Sequence, residues 1–180
     1  MAKINSQLSN DNILLRKPEP EDLDFLYSLE NDTNIWWVSD TRSPFSRWQI
    51  KQHIENSVYD IYTNKELRLI ITDKHNGKAL GVIDLFQYEP AHQRAGVGIV
   101  VLQEYRNQKI AEQSLEIIIE YCFNIINLNQ IWCCIDAKNL ISIKLFEKFG
   151  FVKTGELKEW KKSGENKFED VYLFQLKVKS

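Results

Sequence analysis

Residues 96–114 read GVGIVVLQEYRNQKIAEQS, and this stretch decides the fold. Val97 to Leu102 is an apolar strand with almost nothing polar in it, the pattern of a strand buried on both faces. The end of the stretch opens a helix whose apolar positions Ala111, Leu115, Ile118, Ile119 and Cys122 share one face, with Glu112, Glu116 and Glu120 on another. Between them, Gln103 to Lys109 form a short polar turn carrying Arg106, Asn107, Gln108 and Lys109. A strand running straight into a helix leaves several backbone N–H groups unpaired beside the positive end of the helix dipole. Two added cations make that an anion site, and a diphosphate is the commonest biological anion of that shape. The spacing alone fits an ordinary strand–loop–helix crossover equally well.

Upstream, Ile13 to Lys17 reads as a strand ended by Pro18 and Pro20, and Glu21 and Asp22 open a helix through about Leu29. Asn31 to Pro44 is a loop holding the pair Trp36-Trp37, either core plugs or the wall of a cleft, with core the favoured reading. Ser46 caps a second helix to about Tyr59. Leu67 to Thr72 and Ala79 to Gln87 are strands around the turn signal Asn76-Gly77, and Arg94 to Leu102 follows as the strand of the opening stretch. Downstream, Gln130 to Ile135 is a strand, and Asn139 caps a helix to Phe149 that Gly150 closes. Phe151 to Trp160 and Phe168 to Val178 form a last hairpin. Residues 1–180 are expected to form one mixed α/β (α+β) domain.

Composition narrows the classes. Hydrophobic residues are 43% and charged residues 27%, ordinary for a globular chain, and the net charge of -2 implies no bulk attraction to nucleic acid. No apolar run approaches membrane-spanning length, and MAKINSQLSNDN lacks the apolar segment of a signal peptide. Cys122, Cys133 and Cys134 are odd in number and two are adjacent in an apolar strand, which suits a reducing cytoplasm better than a disulfide framework. His53, His75 and His92 stand apart from each other and from the cysteines, so no metal site is expected.

Residues 104–111, EYRNQKIA, resemble the pyrophosphate-binding motif of the GNAT N-acetyltransferases: Arg or Gln, two residues, Gly, one residue, then Gly or Ala. Arg106 takes the first position and Ala111 the last, with Lys109 in place of the middle glycine. NLISIKLFEKFGF, Asn139 to Phe151, is similar to a second segment of that family, at the family's distance downstream. The element order also matches. The resemblance implies a mostly antiparallel mixed sheet, splayed in the middle, with about four helices. It implies that acetyl-CoA lies in a V-shaped gap between the opening strand and the Gln130 strand. Val100, Val101 and Leu102 would face its pantetheine arm, and Arg106, Asn107, Gln108, Lys109, Ile110 and Ala111 would hold its diphosphate. Asn139 would contact it near the following helix.

Within the family, residues 81–101 and 155–176 most resemble the spermidine and diamine acetyltransferases and the enzymes that acetylate ribosomal-protein amino-termini. By that resemblance, acidic residues in Asn31–Asp40 and Asp84–Glu89 stand where the polyamine enzymes hold their cationic substrate, which favours a polyamine or diamine acceptor. A homo-oligomer is compatible with this, and a non-catalytic acyl-CoA-binding module is the reading from another class. A lysine-like amine has a pKa of about 10.4, so making it neutral at pH 7 costs roughly 4 kcal/mol. Asp84, Glu89 and, less so, His92 are the candidates to take that proton. Many relatives place a tyrosine as general acid where this chain has Phe146, which cannot donate a proton.

Overall fold

A computed structural model describes residues 8–39 and 41–178. Seven strands make one sheet: β1 (Ile13–Arg16), β2 (Leu67–Asp73), β3 (Ala79–Glu89), β4 (Arg94–Val101), β5 (Gln130–Asp136), β6 (Val152–Gly164) and β7 (Lys167–Lys177). Their order is β1-β2-β3-β4-β5-β7-β6. Every pairing is antiparallel except β4 with β5. Four helices have at least two turns: α1 (Leu23–Glu30), α3 (Arg47–Asn56), α5 (Ile110–Asn124) and α6 (Leu140–Lys148). Two single-turn helices, α2 (Trp36–Ser39) and α4 (Ile61–Asn64), were not anticipated from sequence.

The two faces of the sheet carry different cores. On one face Leu69, Ile71, Ile83, Leu85 and Val97 pack with Leu115, Ile118 and Cys122 of α5. On the other, Ile70 and Val82 pack with Leu26 and Leu29 of α1 and Ile50 and Ile54 of α3. Helices on both sides explain why β2 and β3 read as nearly continuous apolar runs. Each fully buried aliphatic side chain contributes about 1.5–3 kcal/mol, so the two layers fix the central strands firmly.

Local signals account for most element ends. Ser46 and Gln49 form a reciprocal capping box at α3. That helix stops at Asn56, three residues earlier than the periodicity suggests, and Lys17 Nζ donates to the carbonyls of Ser57 and Tyr59 beyond its end. Asp60 then caps α4 through the Thr63 N–H. The last hairpin turns at Glu165-Asn166, and β6 is longer than expected.

The register around β4 sets the site. β3 pairs with β4 continuously from Gly81↔Val101 to Phe86↔Gly96. β5 pairs with β4 only at Arg94↔Gln130, Ala95↔Ile131 and Gly96↔Trp132, then follows β7 to Asp136. Beyond Gly96 and Trp132 the two strands part. This corrects the expectation that the Val97–Leu102 strand is buried on both faces: Ala95, Gly96 and Val97 are buried, but Gly98 to Val101 are half-buried because β5 has left them.

Gly81 lets β3 approach the splayed end of β4 closely. A Cβ there would lie 2.2 Å from the Val100 carbonyl oxygen, and backbone cannot swing aside. Gly81→Ala should cost about 1–3 kcal/mol, the range for overpacking a fixed site. Urea denaturation with an unchanged m-value would report that loss, and unaltered stability would mean that β4 shifts freely.

Candidate active site

The parting of β4 and β5 leaves backbone groups without strand partners. Leu102 donates its N–H to the Leu80 carbonyl, so by two-residue alternation Leu102, Val100 and Gly98 turn their backbone groups toward β3. Val97, Ile99 and Val101 turn theirs toward the gap. A cleft of about 500 Å³ opens there and passes through the sheet. Asn139 and Phe146 line it from the α5 and α6 side, and Trp37, Phe86, Trp132 and Trp160 line it from the other.

One end of the gap meets the start of α5. After a 3-10 turn at Gln103–Tyr105, Asn107 and Lys109 adopt left-handed conformations, with φ of 63° and 60°. Lys109 therefore holds the backbone shape that a glycine adopts without strain, at a cost of about 1–2 kcal/mol for an L-residue. The first bond into the helix runs from the Gln113 N–H to the Lys109 carbonyl. The N–H groups of Ile110, Ala111 and Glu112 find no acceptor among the described residues. Arg106 and Lys109 are exposed beside them, and Arg106 Nε donates to the Val101 carbonyl at 3.3 Å.

The other wall is electrostatic. Arg68 donates through Nε and Nη2 to the two oxygens of Asp84, both at 2.9 Å, and through Nη1 to Glu30. The side chains of Arg68, Glu30 and Asp84 are 22%, 14% and 25% exposed, so all three are largely withdrawn from water. Two carboxylates against one guanidinium leave the group with one net negative charge. Burial alone would lower the Arg68 pKa, and the facing charges of Asp84 and Glu30 more than reverse that. Each Asp84 oxygen keeps a lone pair beyond the guanidinium bond.

The remaining sequence candidates fall in different places. Phe146 is 3% exposed and packs edge-on against Phe151 at 4.9 Å. Asn139 Oδ1 accepts from the Ser142 N–H and so caps α6 at the cleft. Glu89 is exposed at the end of β3 where β4 and β5 are still joined, beside Arg94 and outside the cleft. His92 is exposed in the next turn. Asp40 lies outside the described residues. Trp36 anchors its loop by donating Nε1–H to the Glu30 carbonyl, whereas Trp37 is 50% exposed and lines the cleft. Burial pushes the Cys122 thiol up to about 12 and raises Cys133 and Cys134, so none of the three is poised as a nucleophile. Among the described residues no His, Cys, Asp or Glu cluster has metal-holding geometry, and no helix is long and apolar enough to cross a membrane.

Residues that sequence reasoning missed are Arg68, Glu30, Phe86, Trp132 and Trp160. Arg68 carried a usable signal, a lone cation inside the strand LRLII where a partner carboxylate is obligatory. The aromatic residues carried none, because only the register brings them together.

These features define an acyl-transfer fold with a split sheet. Residues 12–152 match the acetyltransferase (GNAT) domain family, and the chain belongs to it. It is an acyltransferase, and acetyl-CoA is the acyl donor that family uses. The chain is 27% identical over 152 residues to the spermidine N(1)-acetyltransferase of Vibrio cholerae, covering 83% of this chain and 84% of that one. It is 25% identical over 170 residues to an N-acetyltransferase of Bacillus licheniformis called p20, of uncharacterised function, covering 94% of each. The fold also matches the crystal structure of the Vibrio cholerae spermidine N-acetyltransferase in complex with CoA and spermine, with a TM-score of 0.84 at 24% identity over 93% of this chain and 96% of that one. A dodecameric structure of that enzyme matches with a TM-score of 0.77 and 23% identity over 93% and 95%.

His53, on α3 near Arg68, has a buried Nε2 with no hydrogen-bond partner among the described residues, and burial followed by the Arg68 charge lowers its pKa from 6.5. A depressed histidine binds fewer protons folded than unfolded, so its contribution is present above pH 6.5 and is lost as pH falls below it toward the folded value. His53→Gln should flatten the fall in melting temperature between about pH 7.5 and 5.5. An identical slope in the variant would assign acid sensitivity to other groups.

Proposed function

We propose that this enzyme acetylates a primary amine of a polyamine or diamine. The observation that carries the reading is that Asp84, held by Arg68 with Glu30 behind it, and the exposed faces of Trp37 and Trp160 share the cleft where β4 and β5 part. Carboxylate and aromatic faces both attract an alkylammonium, the latter by about 0.5–2 kcal/mol per contact. The polyamine acceptor of the Vibrio cholerae relative is consistent with it.

The open edge of β4 around Ile99 suits the amide-bearing pantetheine arm, which pairs with such an edge as an added strand. Val100 and Leu102 flank it with side chains on the α1 and α3 face. Arg106, Lys109 and the unbonded N–H groups from Ile110 onward take the diphosphate, with Asn107, Gln108 and Ala111 shaping the turn. Asn139 sits across the cleft. An N–H on the parted edge polarises the thioester carbonyl. Of the carboxylates first considered as proton acceptors, Asp84 is the one in the cleft, and its free lone pairs accept from the amine directly or through water. No tyrosine lines the cleft among the described residues, so the thiolate leaves without that general acid.

A second reading, acetylation of protein amino-termini, is favoured by the outer pocket of about 450 Å³ beside Trp37. Arg42, Lys138 and Lys162 line it against Asp136 and Glu169, which suits an acceptor carrying negative charge. Incubation with acetyl-CoA and a panel of spermidine, diamines, amino acids and peptides, read by mass spectrometry, separates the two. Acetylated polyamine is the expected product, and acetylated acidic peptide alone would replace this reading with the second.

Charge-assisted contacts contribute about 1.5–3 kcal/mol each, so Arg106→Ala should weaken acetyl-CoA binding roughly tenfold or more. The Arg106→Ala, Lys109→Ala double variant should lose further affinity by calorimetry. Unchanged affinity in the double variant would remove the diphosphate from this loop.

A further inference from the structure

The apex of the gap is closed by an aromatic pair. Phe86 extends from β3 across β4, and its ring occupies the space above Gly96, where a Cβ would lie 2.3 Å from Cε2. The ring reaches Gly98 as well, 3.6 Å from where a Cβ would stand. Its far side meets Trp132 of β5 edge-on, with centroids 5.3 Å apart and planes at 82°. Gly96 and Trp132 are the last residues paired before β4 and β5 separate. The pair thus stands at the point where the gap narrows to ordinary strand spacing, and both rings line the cleft. On the opposite face Val97, Cys133 and Phe146 are buried and fill the same level. A chain entering along the parted edges therefore runs into a wall of side chains.

We infer that Phe86, backed by Trp132, is the stop that restricts the transferred acyl group to a short chain. The inference rests on the thioester lying along the parted edge of β4. Its acyl end then points toward the apex, where each further methylene would have to displace the Phe86 ring. That ring is bounded by β4 backbone beneath it and the Trp132 indole beside it. A close-fitting apolar pocket discriminates a single methylene by about 10- to 200-fold. Gly96 belongs to the same device, since any side chain there would evict the ring.

Calorimetry of the full chain with CoA, acetyl-CoA, propionyl-CoA and butyryl-CoA tests this without knowledge of the acceptor. The wild-type protein should bind butyryl-CoA roughly tenfold or more weakly than acetyl-CoA. In Phe86→Ala that difference should shrink to about threefold or less, while affinity for CoA itself, which has no acyl group, stays within about twofold. Trp132→Leu, which frees the ring rather than removing it, should shift the profile the same way and serves if Phe86→Ala fails to fold. A flat profile in the wild type would overturn the inference, as would a profile equally steep in both variants. Absence of CoA binding would overturn the placement of the donor itself, so the two failures are distinguishable.

Discussion

Everything distinctive about this molecule follows from β5 pairing with β4 for only three residues while it pairs with β7 along its whole length. Unpaired strand edges normally expose N–H and C=O groups that must find partners or water. Here the break is stable because each strand keeps its other neighbour, β3 for β4 and β7 for β5. Phe86 and Trp132 cover the apex with apolar surface. The sheet can therefore hold an open edge in its middle without unravelling.

The charged wall answers to a different balance. A buried ion pair contributes little net stability, because desolvation consumes most of the Coulombic gain. Arg68 is nonetheless held on three nitrogens by two carboxylates from different elements, α1 and β3. The arrangement ties the helix layer to the sheet at the cleft's edge. It also keeps two acidic groups where they would otherwise repel. Removing Arg68 alone would leave both unpaired, which is why the guanidinium is as much part of the site as the carboxylates.

Much of this was legible in the sequence, and for stated reasons. The element order and the loop into α5 follow from hydrophobic period, caps and the Arg106–Ala111 spacing, all local properties, whereas the split came only from the family resemblance, the apolar run itself having suggested a strand buried on both faces. Lys109 looked like a departure, yet its backbone keeps the left-handed shape expected of glycine there. Asp84 and Glu89, five residues apart on one strand, looked equivalent, and the register sends only Asp84 to the cleft. Phe86 and Trp132 are 46 positions apart in sequence, and nothing local marks them as neighbours. Arg68 was missed although it is a lone cation in an apolar strand, and its partners carried no local signal, because one of them comes from α1.

The absence of a tyrosine at Phe146 can be weighed against the rest of the site. An acyl-CoA thiol resembles cysteine, with a pKa near 8.5, so releasing an unassisted thiolate at pH 7 costs about 2 kcal/mol. Making a lysine-like amine neutral costs roughly 4 kcal/mol. On the proposed reading the larger demand falls on the side of the cleft where Asp84 stands, and the smaller on the α6 side, where Phe146 is packed against Phe151. A hydroxyl placed among those rings would need a partner to offset its own desolvation. An apolar α6 face with an electrostatic α1 face is thus a coherent division of labour. On that reading, the buried charge stands where the proton is hardest to remove.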